Sequence, residues 1–218
     1  MRLFAIGDIH GCSVALKRLD EEIGFRATDT IVTLGDYVDR GPDSCGVIDF
    51  LIHLRSRSNL IVLRGNHEIM MLRAQHDRSL LTEWLANGGD RTLDSYEAMS
   101  FDDVPELHWD FLHSTVAYHE TQRDFFVHAN AYADIPLADQ PDYMLFWEFF
   151  GHPSLHQSGK RMVCGHTAQR SGQPLDVGHA VCIDTFAHGG GWLTCLEARS
   201  NFYWQATQNG EIRFGSLS

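Results

Sequence analysis

Five short apolar runs, at residues 3–6, 30–34, 60–63, 125–127 and 162–164, are each followed within a residue or two by Gly, Asp, Asn or His. Runs of this length closed by turn-forming residues read as strands, so the polar residues fall at strand ends. Between the first two runs Ala15, Leu16, Leu19 and Ile23 recur at helical spacing, as do Val47, Ile48, Leu51 and Leu54 between the next two. The chain therefore opens as strand, helix, strand, helix, strand. Right-handed crossovers in such a unit lay helices over a parallel sheet and bring the C-terminal strand ends to one edge, where ligands bind.

The pattern over 72–113 is mainly helical, with a helix stop expected at Asn87-Gly88-Gly89 after Thr82-Glu83-Trp84-Leu85-Ala86. Strand-like segments at 180–183, 192–196 and 202–206, separated by turns at 188–191 and 199–201, predict a second sheet. With 218 residues and no linker composition, one domain is expected over 1–218. Its class is α/β: two facing sheets with outer helices and a helical insert at about 72–113.

Asp8 and His10, two apart at the end of the first strand, point the same way. Asp36 follows the second strand, Asn66 the third, and His128 and His166 two later ones. Six oxygen and nitrogen donors thus arrive from five strand ends. Carboxylate, amide and imidazole without thiolate suit manganese, iron or zinc rather than a Cys-rich structural zinc site.

A formal charge of −12 removes nonspecific attraction to nucleic acid, so phosphate could be held only where local cations reverse the field. The five cysteines are scattered and odd in number, as expected of free thiols in a reducing cytoplasm. The first residues run directly into the Asp8 segment without the flanks of a cleavable signal, and no membrane-spanning run follows.

Three segments, Gly7-Asp8-Ile9-His10-Gly11, Gly35-Asp36-Tyr37-Val38-Asp39-Arg40-Gly41 and Arg64-Gly65-Asn66-His67-Glu68, resemble the signatures of the phosphoprotein phosphatase family, in its order and separation. Val127-His128-Ala129, Cys164-Gly165-His166-Thr167 and Cys182-Ile183-Asp184-Thr185 are similar to its bacterial and bacteriophage lambda branch of serine/threonine protein phosphatases. The resemblance extends over nearly the whole chain. It implies the calcineurin-like metallophosphoesterase fold and two divalent metal ions, Mn2+ first, with Fe or Zn as alternatives. Asp8, His10 and Asp36 would hold one ion and Asp36, Asn66, His128 and His166 the other, with Asp36 as the bridge. A hydroxide shared by the ions would attack phosphorus directly. His67 matches the general acid, Asp39 the carboxylate that orients it, and Arg40 and Arg64 the phosphate clamps.

The implied activity is hydrolysis of phosphomonoesters by a serine/threonine or dual-specificity protein phosphatase. Its partners would be a phosphorylated protein or peptide, or a small phosphoester, with neither nucleic acid nor membrane. The related diadenosine tetraphosphate hydrolases share the metal segments but usually carry Ala before the Arg of the second one, where this chain has Asp39. A phosphate-binding sensor without turnover is the alternative of another class. Three departures bear on specificity. Phe149 stands where the branch has an arginine two residues after a tryptophan, with Lys160, Arg161 and Arg170 as candidate replacements. Phe186 and Asn130 stand where Gly is common, and His188 lies in a Gly-rich turn without a matched role.

Overall fold

The computed structural model describes residues 2–217. The predicted opening unit is present as β1 (Leu3–Ile6), α1 (Ser13–Ile23), β2 (Thr30–Thr33), α2 (Ser44–Arg57) and β3 (Asn59–Val62), leading into α3 (Asn66–His76). Short helices α4 (Leu81–Trp84), α5 (Asp90–Ser95) and α6 (Glu106–His113) follow. Then come β4 (Tyr118–Glu120), β5 (Asp124–Val127), α7 (Asp142–Phe146), β6 (Arg161–Cys164), β7 (Leu175–Asp176) and β8 (Ala180–Cys182). The last described elements are β9 (Asp184–Thr185), β10 (Trp192–Glu197), β11 (Phe202–Ala206) and β12 (Ile212–Ser216).

Two mixed sheets face each other. One has the order β12-β11-β10-β1-β2-β3, with β9 paired to β10, and the other the order β4-β5-β6-β8-β7. The segments at 192–196 and 202–206 are strands, but they belong to the first sheet and not the second. β10 pairs antiparallel along the free edge of β1, with Ile6 opposite Cys195. Local alternation sets which face of a strand is apolar and carries no information about its neighbour.

Both faces of each sheet are covered, which is why their strands read as continuous apolar runs. Leu3 and Ala5 point between the sheets, meeting Phe126, Val163 and Val181 of the other sheet. The alternate residues Phe4 and Ile6 pack outward against Leu16, Leu19, Val47 and Leu51 of the two long helices. Phe125, Val127, Met162 and Cys164 face Leu145 and Phe146 of α7 on the opposite side.

The stretch 72–113 is largely helical, and the helix expected to stop at Asn87-Gly88-Gly89 does break there. The chain makes a wide turn there, with Gly88 at φ 103°, and re-enters helix at Asp90. Gly88 accepts a hydrogen bond from the Arg40 amide at 3.1 Å, so the kink lies against the second signature segment. Among the described residues no helix is long and apolar enough to cross a membrane, and the five cysteines are free.

Candidate metal centre

Strand register builds the site. Ile6 lies opposite Thr33 and Thr33 opposite Val62, so β1, β2 and β3 end level. Phe126, Val163 and Val181 are likewise in register across β5, β6 and β8. The residues after these ends meet in one crevice between the sheets. Donor atoms of His10, Asp36 and His67 gather within 4.8 Å of one another, as do those of Asp36, His128 and His166. Asp36 is common to both groups.

Each candidate imidazole ligand is held by a backbone carbonyl on its far side. His10 Nδ1 lies 2.8 Å from the Val38 oxygen, His128 Nδ1 2.8 Å from that of Leu34, and His166 Nε2 3.1 Å from that of Trp147. A ring N–H given to a carbonyl leaves the other nitrogen as a lone pair, the second-shell arrangement of metal-binding histidines. Those remaining nitrogens turn inward. His128 Nε2 and His166 Nδ1 stand 2.9 and 3.1 Å from Asn66 Oδ1, and His10 Nε2 stands 3.3 Å from Asp36 Oδ2.

The electrostatics call for cations. Burial, then the charges of Asp184 and Asp36, push the Asp8 carboxyl well above its usual range. Burial raises Asp184 too. Burial alone would raise Asp36, but His128, His67 and His10 overcome it and hold that group well below the ordinary value. Burial depresses His166, and lowers His128 to about 4, keeping it neutral and able to ligate. Three buried carboxylates, with Asp36 beside the imidazole nitrogens, form a donor set that suits hard or borderline divalent ions.

Beside these donors lies a buried hydrogen-bonded dyad. His67 Nδ1 is 2.7 Å from Asp39 Oδ2, while His67 Nε2 is a fully buried polar atom without a protein partner. Trp84 Nε1 donates to both Asp39 oxygens at 3.1 and 3.0 Å, and Thr92 Oγ1 donates to Oδ1 at 2.8 Å. These two residues come from the helical stretch, and nothing in the sequence pointed to them. Asp184 was legible: it follows β8 as the other acids follow their strands.

The expected phosphate clamps separate in the structure. Arg40 reaches in, its Nη1 3.1 Å from His10 Nε2. Arg64 is tied to Thr115 Oγ1 at 2.8 Å and to the carbonyls of His113 and Thr115 at 3.2 and 3.1 Å, so reaching a phosphoryl group would break those bonds. Of the replacements considered for the arginine absent at 149, Lys160 pairs with Glu120 and Arg161 with Asp124. Arg170 stacks on Phe186, its guanidinium carbon 5.0 Å from the ring centroid. Phe149 is 66% exposed and stacks on the His166 ring at 5.6 Å. Asn130 donates to the Phe149 carbonyl at 2.9 Å. His188 enters the crevice, its ring 4.8 Å from that of His10; burial, then the positive charges of His10 and Arg40, lower it to about 3.

Backbone strain concentrates here. Of the eight non-glycine residues with left-handed φ among the described residues, five are His10, Asp36, Asp39, Arg40 and His166. Such conformations persist only where the surroundings over-determine them. The buried Glu68 carboxylate supplies part of that restraint, accepting the amides of Asp36, Tyr37 and Gly65 at 2.8, 2.7 and 2.8 Å. Gly65 and Gly165 make room: a Cβ at the first would lie 2.1 Å from Asp36 Oδ1, and at the second 1.9 Å from Asp8 Oδ1.

Two facing mixed sheets with outer helices and this edge of carboxylates and imidazoles define a metallophosphoesterase. Residues 1–190 match the calcineurin-like phosphoesterases, and the chain belongs to that family, whose members use a dinuclear divalent metal centre. It is 45% identical over 89 residues to serine/threonine-protein phosphatase 1 of Salmonella typhimurium, a match covering 40% of this chain and 39% of that protein. It is also 45% identical over 69 residues to the symmetrical bis(5'-nucleosyl)-tetraphosphatase of Cellvibrio japonicus, covering 31% of this chain and 25% of that one. The matched segments thus span well under half of either relative. A solved structure described as a candidate diadenosine tetraphosphatase shares the fold, with a TM-score of 0.71 at 21% identity, covering 100% of this chain and 94% of its own.

Proposed function

We propose that the chain is a metal-dependent phosphomonoester hydrolase acting as a serine/threonine or dual-specificity protein phosphatase. The observation that carries this reading is the buried Asp39 and His67 pair, with His67 Nε2 free of protein partners. A serine or threonine alkoxide leaves poorly and needs a proton as the P–O bond breaks; a nucleoside diphosphate leaves as a stable anion and needs far less help. A built acid therefore favours the ester over the polyphosphate.

Asp8, His10 and Asp36 would hold one ion, and Asp36, Asn66, His128 and His166 the second. When bound, the two ions supply positive charge at the phosphoryl oxygens and an activated water. Arg40 binds and orients the phosphoryl group with its planar fork. His67 delivers its Nε2 proton to the departing oxygen, while Asp39, fixed by Trp84 and Thr92, keeps the other ring proton on Nδ1 and stabilises the charged imidazole.

The second reading, hydrolysis of diadenosine tetraphosphate or another nucleotide, is supported by the Cellvibrio relative. One comparison separates the two. Manganese-loaded wild type and His67→Gln are assayed on a phosphoserine peptide, p-nitrophenyl phosphate and diadenosine tetraphosphate. His67→Gln should lose about 10²–10⁴-fold in kcat on the phosphoserine peptide and far less on p-nitrophenyl phosphate. Equal losses on both would remove His67 as the acid, and a strong wild-type preference for the dinucleotide would favour the second reading. Absence of any metal-dependent turnover would leave a phosphate-binding sensor.

A further inference from the structure

His188 belongs to no signature segment, yet the loop that carries it is tightly built. Phe186 adopts a left-handed conformation, φ 65° and ψ 42°, which a bulky side chain rarely takes. Its carbonyl accepts the amides of both Gly189 and Gly191, at 3.1 and 2.9 Å, and its own amide donates to Asp184 Oδ1 at 3.0 Å. Thr185 fastens the base of the loop to Thr194 and to the Trp192 carbonyl. The Phe186 ring lies against the Arg170 guanidinium and, at 4.9 Å, against the His188 ring. Strain held in place by this many contacts directs one side chain.

That side chain is aimed at the crevice. The His188 ring meets the His10 ring edge-on at 4.8 Å, as the His67 ring does at 4.7 Å. Neither His188 nitrogen is engaged in a hydrogen bond with another described residue. His188 is not among the fully buried polar atoms that lack a partner, so its nitrogens stay accessible to a ligand entering the crevice. His188 is outside both groups of donor atoms that gather within 4.8 Å, although its ring borders that of His10. Arg40 approaches the same His10 ring, so an anion held by Arg40 comes within the reach of His188.

We propose that His188 is a substrate-contacting residue whose imidazole N–H donates to a nonbridging oxygen of the phosphoryl group held by Arg40. It supplies an uncharged donor in a site where Phe149 supplies none. The proposal rests on the phosphohydrolase reading for its substrate, but its test does not depend on turnover. An imidazole keeps one N–H donor in either neutral tautomer, so the contact needs no change of charge.

The test uses the manganese-loaded full chain and inorganic phosphate as the probe, with phosphate affinity measured by calorimetry and metal content by elemental analysis. His188→Phe fills the same volume without a donor, and should weaken phosphate binding and lower kcat/KM for p-nitrophenyl phosphate by about tenfold, with metal content unchanged. His188→Asn and His188→Gln keep an amide N–H near the positions of Nδ1 and Nε2, and the better of the two should recover most of the loss. Wild-type phosphate affinity in His188→Phe would overturn the proposal, as would loss of a metal equivalent in His188→Gln, which would make the residue a ligand. A wild-type protein that binds phosphate but hydrolyses nothing would refute the enzyme reading and still report on His188 through phosphate affinity.

Discussion

Phe149 lies at the mouth of the crevice, its ring against His166, one of the candidate metal ligands. Its exposed ring lies on His166, so an arginine there can stack in the same place and bring a charged donor to the crevice mouth. Phe149→Arg should lower KM for p-nitrophenyl phosphate about tenfold or more, by the worth of a charged hydrogen bond, roughly 1.5–3 kcal/mol. An unchanged KM would place residue 149 outside reach of the phosphoryl group. At this scale the sequence was informative wherever a polar residue closes an apolar run. Asp8, Asp36, Asn66, His128 and His166 all do, and the structure brings them together. Asp184 obeys the same rule, two residues after the end of β8. Arg64 was legible as a cation beside the site, but not its attachment to Thr115, a partner 51 positions away.

Among the elements, α4 and α5 reach the candidate acid pair despite their shortness. They place Trp84 and Thr92 against Asp39 from 45 and 53 positions away. Trp84→Phe removes the indole donor and keeps an aromatic of similar shape. It should lower kcat on a phosphoserine peptide about tenfold, at one charged hydrogen bond's worth, with metal content unchanged. A smaller effect on p-nitrophenyl phosphate would confirm that it acts through the acid, and equal effects on both would contradict that. Helical periodicity in 72–113 disclosed that helices would form there; it could not disclose which buried oxygen they would serve. The same limit explains β10. Its strand character was plain, whereas its pairing with β1 depends on an edge about 190 residues earlier that only the assembled sheet presents.

For the molecule as a whole, the depressed histidines of the crevice predict a loss of stability in acid. Burial holds His128 at about 4, whereas the unfolded residue titrates near the ordinary value of about 6.5. Below about 6.5 the unfolded chain binds a proton that the native fold refuses, so stability falls as pH drops from about 6.5 towards 4, and His128 adds no slope above that window. Urea unfolding of chelated protein across this range should show that decline, and His128→Gln should lessen it while the similarly depressed His166 and His188 keep the remainder; an identical slope in the variant would assign it elsewhere. The order of strands has a consequence for how the chain is made. Asp8 and the amide of His166 that it accepts are 158 residues apart, and β1 gains its β10 neighbour only later still. At about 5–20 residues per second, a ribosome separates these events by roughly 8–30 s. Throughout that interval the nascent chain carries half a metal centre and an unpaired sheet edge, so metal capture in its final form and protection from aggregation both wait for the C-terminal third.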